Sequence, residues 1–155
     1  MTITPGPKQF LADNWLLIIV TTAAMIGTDY TPHDPRVRLV VVTSVVMLSL
    51  ALIVQYLQMS AKKWTITGQN LCSQSGILSK KKDYIELYRI VDYAERQSLM
   101  QNILRIKTVT VMSTDKSDPQ LDIIGVPYSL DLVGFIRNKV ELCKQERKIY
   151  EITNN

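Results

Sequence analysis

Histidine and cysteine are nearly missing from this 155-residue chain: there is one His and there are two Cys. A structural zinc site takes four His or Cys ligands, so His33, Cys72 and Cys143 do not suffice for one. The two cysteines share no spacing motif and read as free thiols in a reducing compartment, not as a disulfide. No Ser–His–Asp set, phosphate loop or zinc motif accompanies the acidic residues. No catalytic residues, cofactor or metal are therefore expected. Nucleic-acid binding is also disfavoured, since the net charge is only +4 and aromatic residues do not interleave with a dense basic patch.

Charge is missing in one place above all. Leu39–Met59 contains no charged residue over 21 positions. As a helix it is about 31 Å long, close to the ~30 Å hydrocarbon core of a bilayer. Upstream, 15 uncharged residues lie between Asp13 and Asp29. Extended back to Phe10, with Asp13 at the headgroups and Trp15 as an interfacial anchor, this stretch is also long enough to span. A cleaved leader is the competing reading, but only Lys8 precedes the apolar run and no A-x-A site follows it. The other alternative is an apolar helix in a soluble core. Gly27–Pro35 (GTDYTPHDP) reads as a turn, with Pro32 and Pro35 stopping helix propagation and His33 as an ordinary solvated side chain.

Residues 1–61 therefore predict a transmembrane helical hairpin with spans at about 10–28 and 38–59. Lys8 lies before the first span, and Lys62 and Lys63 follow the second. The positive-inside rule then places both termini in the cytoplasm, with Arg36 and Arg38 in the loop as a mild counterweight. The first 61 residues balance three basic against three acidic side chains, so all of the excess positive charge lies beyond them. No Gly/Ser/Pro linker separates Met59 from Trp64, so the helix is expected to run almost directly into the following domain.

From Lys62 the periodicity changes to that of strands. Trp64 and Ile66 alternate with Thr65 and Thr67, and Gly68 and Asn70 supply a turn. LCSQSGIL predicts a second strand with a bend at Gly76, and Ser79–Asp83 (SKKKD) a charged hairpin tip. DYIELYRIVDYAE predicts one long third strand whose alternation changes phase, with a bulge near Arg89. A short helical turn at RQSLMQNIL, strands at IKTVTVMST and QLDIIGV, and a turn at DKSDP follow. A final amphipathic helix carries an apolar stripe of Val133, Ile136, Val140 and Cys143, started by Ser129 or Asp131. Packing on the sheets is the default role of that stripe. Met1–Gln9 and the last residues, 151–155, are expected to be irregular.

The order of short motifs resembles a known family. After the apolar hairpin come W-x-I-T (Trp64–Thr67), G-I-L (Gly76–Leu78), I-x-L-x-R-I-x-D (Ile85–Asp92), Q-S-L-x-Q (Gln97–Gln101) and V-T-V-x-S-T (Val109–Thr114). Together they are similar to the bacterial membrane-anchored pleckstrin-homology-like (PH-like) family. The resemblance implies an α+β chain in which the hairpin precedes a PH-like antiparallel β-barrel or sandwich, residues 62–150, closed by a C-terminal α-helix. Family members often carry Gly near the position of Arg105, which bears on the local turn. The resemblance brings no catalytic residues.

Two roles are weighed. One is an interaction or scaffold module at the inner membrane, with a protein partner or further copies of itself. The other is recognition of anionic lipid headgroups by Lys62, Lys63, Lys80, Lys81 and Lys82, with Trp15 and Trp64 as interface anchors. For the lysine run alone, a solvated turn that blocks edge pairing is the favoured reading. Glu86, Asp92 and Glu95 read as the charged face of a strand, not as catalytic acids.

Overall fold

The computed structural model describes residues 1–28, 35–115 and 119–146. His33 and most of the expected loop, the middle of the DKSDP turn, and the tail lie outside them.

Two long helices come first. Helix α1 (Pro7–Gly27) begins with proline in its first turn, where the missing N–H is no loss. Helix α2 (Pro35–Ser60) also begins at proline. They pack against each other, and at one end of the pair the Phe10 and Tyr56 rings meet edge to face, 5.3 Å between centroids. Both are long and apolar enough to cross a membrane. Across its 26 residues α2 buries only Met59. Inside both helices the hydroxyls turn inward: Thr21 donates to the Leu17 carbonyl, Thr22 to Ile18, Thr43 to Leu39, Ser44 to Val40 and Ser49 to Val45. Such bonds satisfy a hydroxyl without water.

The strands form two antiparallel sheets. The first has the order β1 (Thr2–Ile3), β2 (Lys63–Ile66), β3 (Asn70–Ser75), β4 (Lys81–Glu86), and the second the order β5 (Ile90–Arg96), β6 (Ile106–Ser113), β7 (Gln120–Pro127). Between β5 and β6 lies the short helix α3 (Leu99–Ile103), which starts in a capping box made by Ser98 and Gln101. Helix α4 (Leu132–Glu146) covers the core, with Asp131 Oδ1 accepting from the Gly134 N–H at 2.9 Å. Leu132, Ile136, Val140 and Cys143 bury against Leu71, Ile85, Val109, Val111 and Ile123. The chain is thus α+β, with two apolar helices ahead of a PH-like pair of sheets closed by a helix.

Three expectations are corrected. Met1–Gln9 is not irregular. Thr2 and Ile3 pair with Thr65 and Trp64, Ile3 joins the core, and helix α1 already starts at Pro7. The backbone of Ile66 donates to the Met1 carbonyl at 2.8 Å, which ties the start of the chain to the strand that follows α2. The third strand is not continuous. Ile85, Leu87 and Ile90 are all buried, and the odd step from 87 to 90 does not fit one face of a flat strand. A 3-10 turn at Leu87–Arg89 resolves the conflict by passing the chain from the first sheet to the second, with the register shift just after it, between Ile90 and Asp92. The charged hairpin tip is also displaced. Lys81 and Lys82 belong to β4, and the turn itself is Gly76–Lys80.

Arg105, at the position where glycine was expected to be common, takes φ +54°. Its carbonyl accepts from the Tyr128 N–H, so this left-handed residue joins the exit of α3 to the end of β7.

Candidate functional site

The helices meet the sheets at one end of the β domain. Only Ala61 and Lys62 separate α2 from β2, and both continue the helical turn: the Ala61 N–H donates to Leu57 and the Lys62 N–H to Met59, each at 3.0 Å. The expected direct passage from helix to barrel is what the structure contains. On the other side, α1 is fastened by a polar clamp. Gln9 is 2% exposed; its side-chain carbonyl accepts from Gln101 at 3.0 Å, and its amide donates to Asp13 at 2.8 Å. Gln101 also donates to Thr108 of β6 at 2.9 Å. Beside the clamp Gly125 has φ +73°, and a Cβ there would press on Pro5 and Gln9 at 3.2 Å. The segment before α1 therefore lies close against β7, at a residue whose positive φ and tight surroundings both favour glycine.

The candidate lysines converge on this junction. Antiparallel register pairs Lys63 with Gln74, and Gln74 with Lys82. Directly paired residues share a face, so Lys63 and Lys82 flank Gln74 at about 10 Å from each other, on the side opposite the buried Trp64. Lys62 sits one residue before this row, and Lys80 closes the turn that leads into it. Lys81 differs: its ammonium lies 2.8 Å from the Asp83 carboxylate. All five lysines are exposed.

The two tryptophans part company. Trp15 is 38% exposed on α1. Trp64 is 3% exposed and belongs to the core cluster, so it is no interface anchor; β2 turns it inward between the sheets. Its indole N–H has no hydrogen-bond partner among the described residues.

Sequence reading missed the residues at the turn between β3 and β4. Ile77 is 44% exposed and Leu78 is 101% exposed. The G-I-L stretch reads as buried strand by composition, but Gly76 takes φ +99° and ends the strand at Ser75. A Cβ at Gly76 would collide with the Ser79 carbonyl, so the turn is tight. A groove of about 580 Å³ separates it from α2, lined by Val54, Leu57 and Lys62 on one wall and by Ile77 and Leu78 on the other. A smaller polar recess of about 280 Å³, lined in part by Asp13, Asn14, Gln55 and Ile124, lies near the start of α1.

Away from this end several charged side chains are engaged with one another. Lys107, 6% exposed, bonds Glu95 at 2.7 Å. Arg89 reaches Glu86 at 3.3 Å and Asp115 at 3.7 Å. Asp122 accepts from Thr110 at 2.6 Å and pairs with Arg96 at 3.1 Å. Burial works to raise the Asp122 carboxyl, but the bonds from Thr110 and Gln120 and the Arg96 charge outweigh it and hold it below the ordinary carboxylate value. Tyr93 is pushed up to about 12, chiefly by burial, with Glu141 adding to the effect and Arg137 opposing it. Cys72 is a free thiol, and the Cys143 thiol donates to the Gly68 carbonyl at 2.9 Å.

Among known proteins, the family model described as bacterial PH domain matches residues 15–140. No curated protein and no solved structure gives a match.

Proposed function

Because the chain belongs to the bacterial PH domain family, we propose that it is a non-catalytic interaction module, anchored in the inner membrane by α1 and α2. Its β domain and both ends face the cytoplasm, and it binds a protein partner or further copies of itself. The membrane setting is supported by two helices of spanning length whose most apolar stretches are 11% and 0% buried. Helices of a soluble core would be covered. Pairing of β1 with β2 supports a common side for the two ends of the hairpin. The cytoplasmic assignment rests on Lys8, Lys62 and Lys63 beside those ends.

The observation that carries the platform reading is the double fastening of the β domain. Strand β2 leaves α2 after two residues, while β1 and the Gln9–Gln101 clamp tie down the start of α1. A domain held this way presents one set of surfaces to the bilayer and leaves the others for partners. Glu86 and Glu95 sit in ion pairs, and Asp92 accepts from the adjacent Tyr93 N–H.

Chemical cross-linking in native membranes, followed by mass measurement of the detergent-solubilised full chain, tests the proposal. Dimers, higher species or a stoichiometric partner are expected. A strict monomer with nothing co-purifying would sink it.

A second reading, recognition of anionic lipid headgroups, is favoured by the row of Lys63 and Lys82 next to Lys62. Each basic group near an anionic surface contributes about 1 kcal/mol. Lipid retained by the full chain in mixed phosphatidylglycerol and phosphatidylcholine should be enriched in the anionic component, and Lys62, Lys63, Lys80 and Lys82→Ala should abolish the enrichment. Equal retention of both lipids would exclude this second reading.

A further inference from the structure

The turn between β3 and β4 has the wrong composition for a turn in water. Gly, Asn, Asp, Ser and Pro normally fill such positions because they accept unusual backbone angles or bond their own backbone. Here Gly76 and Ser79 are of that kind, but Ile77 and Leu78 stand between them with Leu78 fully exposed. The groove beside them is walled by α2. Val54 and Lys62 both line it, eight residues apart on the chain, so the turn runs along about 12 Å of that helix.

On α2 this length passes from a basic end at Lys62 to apolar, exposed side chains at Leu57 and Val54. The turn repeats that order in reverse, with Lys80 and Lys82 on the side of the β domain and Leu78 at the tip. Two neighbouring elements thus show the same gradient, cationic towards the domain and apolar away from it. A membrane interface has this gradient: phosphates above, hydrocarbon below. Lys62 faces the apolar tip across the groove, and Lys80 and Lys82 follow the tip on its own chain segment, an arrangement that fits phosphates above hydrocarbon.

We propose that the Gly76–Lys80 turn is a third membrane contact beside α1 and α2. Ile77 and Leu78 enter the leaflet next to the end of α2, a phospholipid acyl chain fills the groove between them and Val54 and Leu57, and Lys62, Lys80 and Lys82 meet the phosphate. The tight turn at Gly76 fixes the tip, so insertion requires no refolding of the hairpin. The contact orients the β domain from the first sheet, as the Gln9–Gln101 clamp does from the second. This inference rests on the reading that α1 and α2 span the bilayer.

The test uses the full chain reconstituted in vesicles of phosphatidylglycerol and phosphatidylcholine. Single nitroxide labels are placed by Leu78→Cys, Met47→Cys or Leu142→Cys in a Cys72→Ser, Cys143→Ala background. Collision with oxygen, which concentrates in hydrocarbon, is compared with collision with a water-soluble nickel chelate. The expected result is a position 78 that favours oxygen, as position 47 in the middle of α2 does, while position 142 on α4 favours nickel. A position 78 that behaves like 142 overturns the proposal, and so does one shielded from both reagents, since that means cover by protein. If position 47 itself favours nickel, the spanning reading fails and the inference falls with it. Should the cysteine-substituted background not fold, benzoylphenylalanine at position 78 of the otherwise native chain gives a second readout by photocross-linking. An adduct heavier by one phospholipid supports the proposal, and an adduct with a second polypeptide, or none, overturns it.

Discussion

Helices α1 and α2 sort their side chains in the opposite sense to the β domain. In the sheets the large apolar groups point inward: Leu71 and Leu87 are 0% exposed and Ile85 is 1% exposed. In α2 they point outward, with Leu39 at 65% and Met47 at 71%. On the proposed reading that α1 and α2 cross a membrane, the same amino-acid types obey two rules because the two regions meet two solvents. In the β domain apolar burial is the driving force, at roughly 25 cal/mol per Å² removed from water. Between two helices in a bilayer that force would be absent, and backbone satisfaction and contacts such as the Phe10–Tyr56 pair would have to hold them together. The junction at Lys62 and Lys63 is where one rule gives way to the other.

The comparison breaks most visibly at Trp64. Trp64→Ala should cost about 3–5 kcal/mol, as for other buried aromatic groups. In detergent, denaturant titration should show the β domain unfolding early while the helical signal persists. Trp64→Phe should cost less, because it also removes an indole N–H that has no partner. If both variants match the parent, Trp64 is not a core residue.

The clamp between the two regions is the next target. Gln101→Ala leaves the Gln9 side-chain carbonyl without its donor, at an expected cost of about 1–3 kcal/mol. Amide exchange in the first turn of α1 should accelerate. Unchanged exchange there would mean that the clamp does not couple the regions.

A smaller effect, of the opposite sign, is expected at Arg105. Its φ of +54° costs an L-residue about 1–2 kcal/mol, and glycine relieves this at an entropic cost of its own. Arg105→Gly should raise stability by no more than about 1 kcal/mol; a loss would show that the arginine side chain outweighs the strain.

At neutral pH the smallest effect belongs to Tyr93. Its folded value of about 12 lies above the ordinary 10.0. The stability associated with the neutral phenol is therefore complete below pH 10 and is lost as the pH rises towards 12. Tyr93→Phe should flatten this alkaline loss in the β domain. An identical pH profile would remove Tyr93 as its source.

Much of the fold was legible because it rests on local periodicity. The apolar runs, the alternation of Trp64 and Ile66, and the stripe of α4 each follow from one element and its solvent. The phase change from Leu87 to Ile90 was visible too, and the structure meets it with a register shift between Ile90 and Asp92 together with a change of sheet at Leu87–Arg89, of which only the second needed the packing of Leu87 in the core to be seen. Thr2–Ile3 escaped notice because two residues carry no period; their strand exists only because β2 offers an edge. Around the candidate site, the position of Lys62 and Lys63 directly after α2 can be read from the sequence. The proximity of Lys63 to Lys82 required register. Ile77 and Leu78 were hidden by composition, since apolar residues after a glycine read as strand until the backbone at Gly76 is known.

The sequence by itself determined which segments are apolar throughout and where helix changes to strand. Tertiary structure alone decided which way Trp64 faces, which strand the first residues join, and that a lysine row, an apolar turn and the end of α2 share one corner. Composition and period fix the preference of a segment for its surroundings. They carry no information on which distant segment supplies them, because register and close approach, such as Gly125 against Pro5 and Gln9, are settled only when two parts of the chain meet.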